Sequence, residues 1–179
     1  MSPRVLIGGA LLSGIVLFAW GALVHTVLPI EAVKEFKDGK AVVQAIRANA
    51  PDNGVYFAGE GVVAAVSLRP DLSGEIPIGP PLAREVVLDL LEGLLLVVVL
   101  LMVPRSTRFG KVGVACAAAL AACIAGVLPE WNWYGFSTPF ALVECLDLVG
   151  GWCLAALALT PLIDRLASPT PAARLAPAL

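Results

Sequence analysis

Four stretches of this chain are long and apolar enough to cross a bilayer as helices: Val5 to Leu28, Val86 to Val103, Val112 to Leu128 and Phe140 to Ile163. A crossing takes about twenty residues of helix, and four of them leave little of a 179-residue chain for anything else. Composition agrees, with 59% hydrophobic and only 15% charged residues and a mean hydropathy of +0.88, far from the balance of a water-soluble domain. A net charge of -2 argues against nucleic acid as a partner. The first stretch follows Arg4 as a signal peptide would, but it is too long and has no small-x-small cleavage site before His25, so a retained anchor is expected.

The expected fold is an all-α integral membrane bundle of four transmembrane helices. Residues 1–28 form the first span, 29–80 an extracytoplasmic cap with a proline-rich arm, and 81–103 the second span. Residues 104–111 form a basic cytoplasmic loop, 112–128 the third span, 129–139 an aromatic outer turn, 140–166 the fourth span, and 167–179 a disordered tail. Arg4, the cluster Arg105, Arg108 and Lys111, and Arg165 with Arg174 flank the spans on one side, whereas 129–139 holds no Lys or Arg. By the positive-inside rule both termini are cytoplasmic, in a bacterial-type inner membrane.

Within the cap, Lys40 to Ala50 has helical spacing, and Val55 to Phe57 and Val62 to Leu68 read as short strands around Gly59 and Gly61. A small α+β cap is expected. The stretch Arg69 to Pro81, with four prolines, predicts an extended arm whose last proline enters the first turn of the second span.

Pro81 to Leu96 aligns without a gap on Pro139 to Leu154, with identity at seven of sixteen positions and Asp89 on Asp147. Shared Leu is cheap in apolar helices, but Pro, Asp and Gly are not residues that composition aligns. The match predicts two repeated helical hairpins related by a pseudo-twofold axis along the membrane normal.

The carboxylates are where chemistry is expected. Glu85, Asp89 and Glu92 share one helix face at i, i+4 and i+7, and Glu144 and Asp147 share another at i and i+3. The uncharged run Gly93 to Val103 covers only about 16 Å of a roughly 30 Å hydrocarbon layer, which draws Asp89 and Glu92 into that layer or to its edge. Such groups cost energy in lipid unless a proton, a cation or a partner compensates them. Nearby cations are few: Arg69, Arg84 and the single histidine, His25. Asp89, Glu92, Glu144, Asp147 and His25 therefore form a candidate proton or ion site. A structural role competes with it, in which these acids hydrogen-bond backbone, indoles or one another. A transition-metal centre has thin support, because the Glu-x-x-His pattern of di-iron bundles is absent. His25 could ligate a haem or pigment but cannot supply both axial positions.

Trp131, Trp133, Tyr134 and Phe136 crowd the outer turn, as a headgroup-level belt or as a contact for a protein or lipid partner. The third span, from Gly113 to Gly126, is rich in small residues, and Ala10 with Gly14 repeats the feature in the first, which favours close helix packing. Cys116, Cys123, Cys145 and Cys153 lie in the third and fourth spans without a C-x-x-C motif and read as small packing residues. A Cys123–Cys145 link near the outer face is geometrically open. No catalytic motif is visible. The expected role is a non-enzymatic accessory or scaffold subunit without a cofactor, in contact with membrane lipids and with a protein partner or a second copy. Proton or metal-ion handling is the alternative, and a haem- or pigment-binding subunit the weaker one.

Overall fold

The computed structural model of the protein describes residues 3–28, 33–68, 77–104 and 106–167. Most of the expected proline-rich arm, Arg105 of the basic loop and the tail from Ser168 lie outside the described residues. Helix α1 spans Pro3–Thr26, α2 Gly39–Asn49, α3 Gly79–Met102, α4 Arg108–Ala122, α5 Leu128–Tyr134 and α6 Thr138–Ala167, with strands β1 Gly54–Gly59 and β2 Val62–Val66 between α2 and α3. Three continuous helical stretches, Pro3–Thr26, Arg108–Tyr134 and Thr138–Arg165, are long and apolar enough to cross a membrane, as fits a multi-pass membrane protein. At 24 residues α3 matches α1 in length, but Arg84, Glu85, Asp89 and Glu92 interrupt its apolar character.

Small residues set the packing. A Cβ on Gly93 of α3 would lie 2.9 Å from the Ala10 carbonyl oxygen and 3.0 Å from the Gly14 nitrogen of α1, so the two backbones meet there. One added at Gly9 would lie 2.6 Å from Val97, and the pairing of Gly9 with Val97 and of Ala10 and Gly14 with Gly93 makes the helices antiparallel. On its other side α1 lays the Trp20 indole on Gly150 and Leu17 on Gly151 of α6. Helix α6 is therefore also antiparallel to α1, and parallel to α3. Helix α4 packs on α6, while α3 and α4 touch little. The core between these helices comprises Leu17, Leu96, Val97, Leu100, Ala115, Ala155, Ala156, Leu159 and Ile163.

This packing is unequal. An exchange of hairpin α1–α3 with hairpin α4–α6 would map the broad α1–α6 contact onto the slight α3–α4 contact, so the arrangement does not display the expected twofold. The aligned segments instead serve α1 alike. Asp89-Leu90 with Gly93 on α3 and Asp147-Leu148 with Gly151 on α6 both turn their glycine to α1, and both aspartates line one cavity beside it.

Residues Pro129 to Tyr134, expected in a turn, instead continue the helical stretch that begins with α4. Proline inside a helix lacks the amide donor and crowds the carbonyl a turn earlier. Here the preceding residues Cys123–Val127 form one wide π-helical turn, which makes room for Pro129. The helix ends at Gly135, which adopts the left-handed conformation at φ 68°. Trp131 Nε1 donates to Thr138 Oγ1 at 3.2 Å across the corner into α6.

At the start of α4, Thr107 caps the helix by accepting from the Gly110 amide. Lys111 belongs to α4 rather than to a solvated loop: it is 3% exposed, and its Nζ donates to Asp164 Oδ1 of α6 at 2.6 Å. Arg108 donates to the Leu157 carbonyl. The cap is a two-stranded antiparallel hairpin with α2 before it. Asp38 caps α2, and Gly59, Glu60 and Gly61, all at positive φ, make the hairpin turn. Phe57 of β1 meets Tyr134 with ring centroids 6.3 Å apart, which ties the cap to the end of α5.

Candidate functional site

The glycine and indole contacts that bring α3 and α6 onto α1 leave a cavity of about 590 Å³ at the cap-bearing end of the bundle. Leu17, Phe18, Leu82, Val127 and Leu148 supply its apolar wall, and His25, Glu85, Asp89, Glu92, Glu144 and Asp147 its polar one. All five residues expected to form an ion or proton site thus open onto one space. Glu85, which the i, i+4, i+7 spacing places on the same face, joins them.

The position of each acid has a local cause. Asp147 Oδ2 lies 3.2 Å from His25 Nε2, with 43% of the histidine and 32% of the aspartate side chain exposed. Gly21 admits it, since a Cβ there would stand 3.4 Å from Asp147 Oδ1. Trp20 Nε1 donates to the Leu146 carbonyl at 3.2 Å and fixes α6 one residue before Asp147. Glu92 sits deeper, where Trp152 Nε1 donates to its Oε2 at 3.3 Å. Asp89 Oδ2 is buried and meets no hydrogen-bond partner, a costly state for a carboxylate oxygen unless a proton or a cation attends it. Among the described residues Arg84 makes no ion pair, and the one basic side chain within hydrogen-bond distance of these acids is His25.

The cavity therefore gathers five carboxylates and one imidazole in a bundle of apolar helices. Like charges at such close quarters repel, and a low-dielectric surround strengthens that repulsion. No three His, Cys, Asp or Glu side chains among the described residues converge closely enough to hold a metal ion. His25 presents Nε2 to Asp147, so a haem or pigment metal on that atom would have to displace the carboxylate.

Sequence reasoning did not single out Trp20 and Trp152 for this site. Their only trace in the chain is an indole within reach of the acid-bearing segments, and the contacts span 126 and 60 residues. The aromatic residues lie apart from the cavity lining. Trp133 is 75% exposed, and Tyr134, Phe136 and Phe140 form a chain of ring contacts.

The cysteines pair differently from the link considered from sequence. Cys116 of α4 and Cys153 of α6 form a disulfide, while Cys123 and Cys145 are free thiols that neighbour each other. No protein-family model matches the chain, and no curated protein or solved structure is significantly similar to it.

Proposed function

We propose that the protein is a non-enzymatic, multi-pass membrane component that takes a proton or a small cation into the acid-lined cavity at the outer end of its bundle. The observation that carries this is the convergence of Glu85, Asp89, Glu92, Glu144 and Asp147, from two helices, on one cavity with a single imidazole. Carboxylates in a membrane interior mark proton and ion paths when they face a cavity rather than lipid. The absence of a close three-ligand group among the described residues favours a proton, or a cation that keeps part of its water, over a directly ligated metal.

We take α3 as a fourth span, with both termini and the loop around Arg108 cytoplasmic and the cap outside, in a bacterial-type inner membrane. Its antiparallel packing on α1 and the asymmetry of basic residues support this topology. Trp133, exposed beside the Phe57–Tyr134 contact, favours a second role as an accessory subunit with a protein partner at the same end. Purification in mild detergent followed by mass spectrometry for a stoichiometric companion tests that role.

The cavity itself is tested in lipid vesicles that enclose a pH-sensitive dye, with a potassium diffusion potential as driving force. Native protein is expected to acidify or alkalinise the lumen faster than protein-free vesicles, and the Asp89→Asn/Asp147→Asn variant to lose that excess. Calorimetric titration of the native protein with sodium and with tetramethylammonium covers a bound cation. Vesicles indistinguishable from protein-free controls, together with flat titrations, would overturn the proposal.

A further inference from the structure

Helices α4 and α6 carry their four cysteines as two rungs. Cys123 stands seven positions after Cys116, in the wide turn that follows α4, and Cys145 eight positions before Cys153 along antiparallel α6, so the rungs stand about 10–12 Å apart at 1.5 Å per residue. The inner rung is closed as the Cys116–Cys153 disulfide, with Cα atoms 5.5 Å apart. The outer rung sets two free thiols, Cys123 and Cys145, beside each other across the same pair of helices, and Cys123 begins the wide turn Cys123–Val127. π-turns of this kind recur at functional positions in helices. Cys123 is 3% exposed and Cys145 is half-buried, so an incoming reagent meets Cys145 first.

We infer that Cys123 and Cys145 are a thiol–disulfide exchange pair, with Cys145 the attacking and Cys123 the resolving thiol, and that the co-reactant is an external disulfide. The Cys145 thiol gives up its proton, and its sulfur attacks one sulfur of the disulfide R–S–S–R. One R–S⁻ leaves and a mixed disulfide remains on Cys145. Cys123 then loses its proton and attacks the Cys145 sulfur, which expels the second R–S⁻. The two released protons and two R–S⁻ make two R–SH, so the chain is oxidised by two electrons and the external disulfide reduced by two. Closing this rung locks the outer half of α6, which carries Glu144 and Asp147, to α4. The exchange itself does not depend on what the cavity binds.

The test uses the full chain in lipid nanodiscs, treated with hydroxyethyl disulfide. It is then alkylated with N-ethylmaleimide under denaturing, non-reducing conditions and mapped by mass spectrometry. In the native chain both free thiols are expected to become unreactive with no adduct retained, and the map to show Cys123 linked to Cys145 beside an intact Cys116–Cys153 bond. Cys123→Ser is expected to stop at a hydroxyethylthio adduct on Cys145, and Cys145→Ser to leave Cys123 alkylatable. Thiols that stay reactive in the native chain, an adduct that persists on its Cys145, or a new bond to Cys116 or Cys153 would each overturn the inference. Should Cys123→Ser fail to fold, the map of the native chain decides alone.

Discussion

At the scale of single residues, five acids share one cavity because their i, i+4, i+7 and i, i+3 spacing puts them on single helix faces, and charge inside an apolar helix made them legible in the sequence. Which partner each acid meets was not legible: the Trp152 to Glu92 bond joins residues 60 apart in sequence, and no local pattern encodes such a pairing. Gly93 carries a different load. Any Cβ there meets Ser13, the Ala10 carbonyl and the Gly14 amide of α1, so a side chain must push α1 and α3 apart. Gly113 faces open space. Gly93→Val is expected to destabilise the protein by about 1–3 kcal/mol, the usual cost of overpacking. Gly113→Val should be neutral or gain a few tenths of a kcal/mol from the better helix propensity of valine. Denaturation in mild detergent, followed by circular dichroism, compares the two; equal stabilities would mean that α1 and α3 do not rely on this contact.

At the scale of elements, the internal similarity between Pro81–Leu96 and Pro139–Leu154 was legible, but the unequal packing does not display the exchange of hairpins that it implied. Both segments bring a helix close to α1 through a glycine and place an aspartate one turn away over a cavity. The aromatic turn was read as too long because Pro129 normally ends a helix. The wide turn at Cys123–Val127 removes the clash that would have ended it. The Lys111–Asp164 pair between α4 and α6 was hidden by position, since a lysine beside Arg105 and Arg108 reads as one more loop cation. Its two ends differ: Lys111 is 3% exposed and Asp164 55%. Losing the aspartate leaves a buried ammonium with its main carboxylate gone, whereas losing the lysine leaves a carboxylate that water can reach. Asp164→Leu is therefore expected to cost several kcal/mol, in the about 3–5 kcal/mol range of a broken buried pair, and Lys111→Met distinctly less. Melting temperatures of the two variants measured side by side check the order, and a larger loss for Lys111→Met would reverse the argument.

At the scale of the whole molecule, α3 differs from the other long helices, since its acids break the apolar window that α1, the α4–α5 stretch and α6 retain. Packing bears on it more directly than hydropathy. Leu96, Val97 and Leu100 of α3 are fully buried in the same cluster as Ala115 of α4 and Leu159 of α6, and α3 lies along α1 from Gly93 to Val97. In the proposed topology a helix packed that far along α1 shares its depth in the bilayer, so the acids near its start fall at one end and its uncharged half fills the interior. Four crossings put both termini on one side, whereas three with α3 on the surface put them on opposite sides. Paired fusions of a reporter active only in the cytoplasm, one at Met1 and one at Leu179, are expected to be active alike, with an insertion in the β1–β2 turn at Glu60 inactive. Unlike activities at the two termini would remove α3 from the membrane, and the acid-lined cavity would then open at the membrane surface.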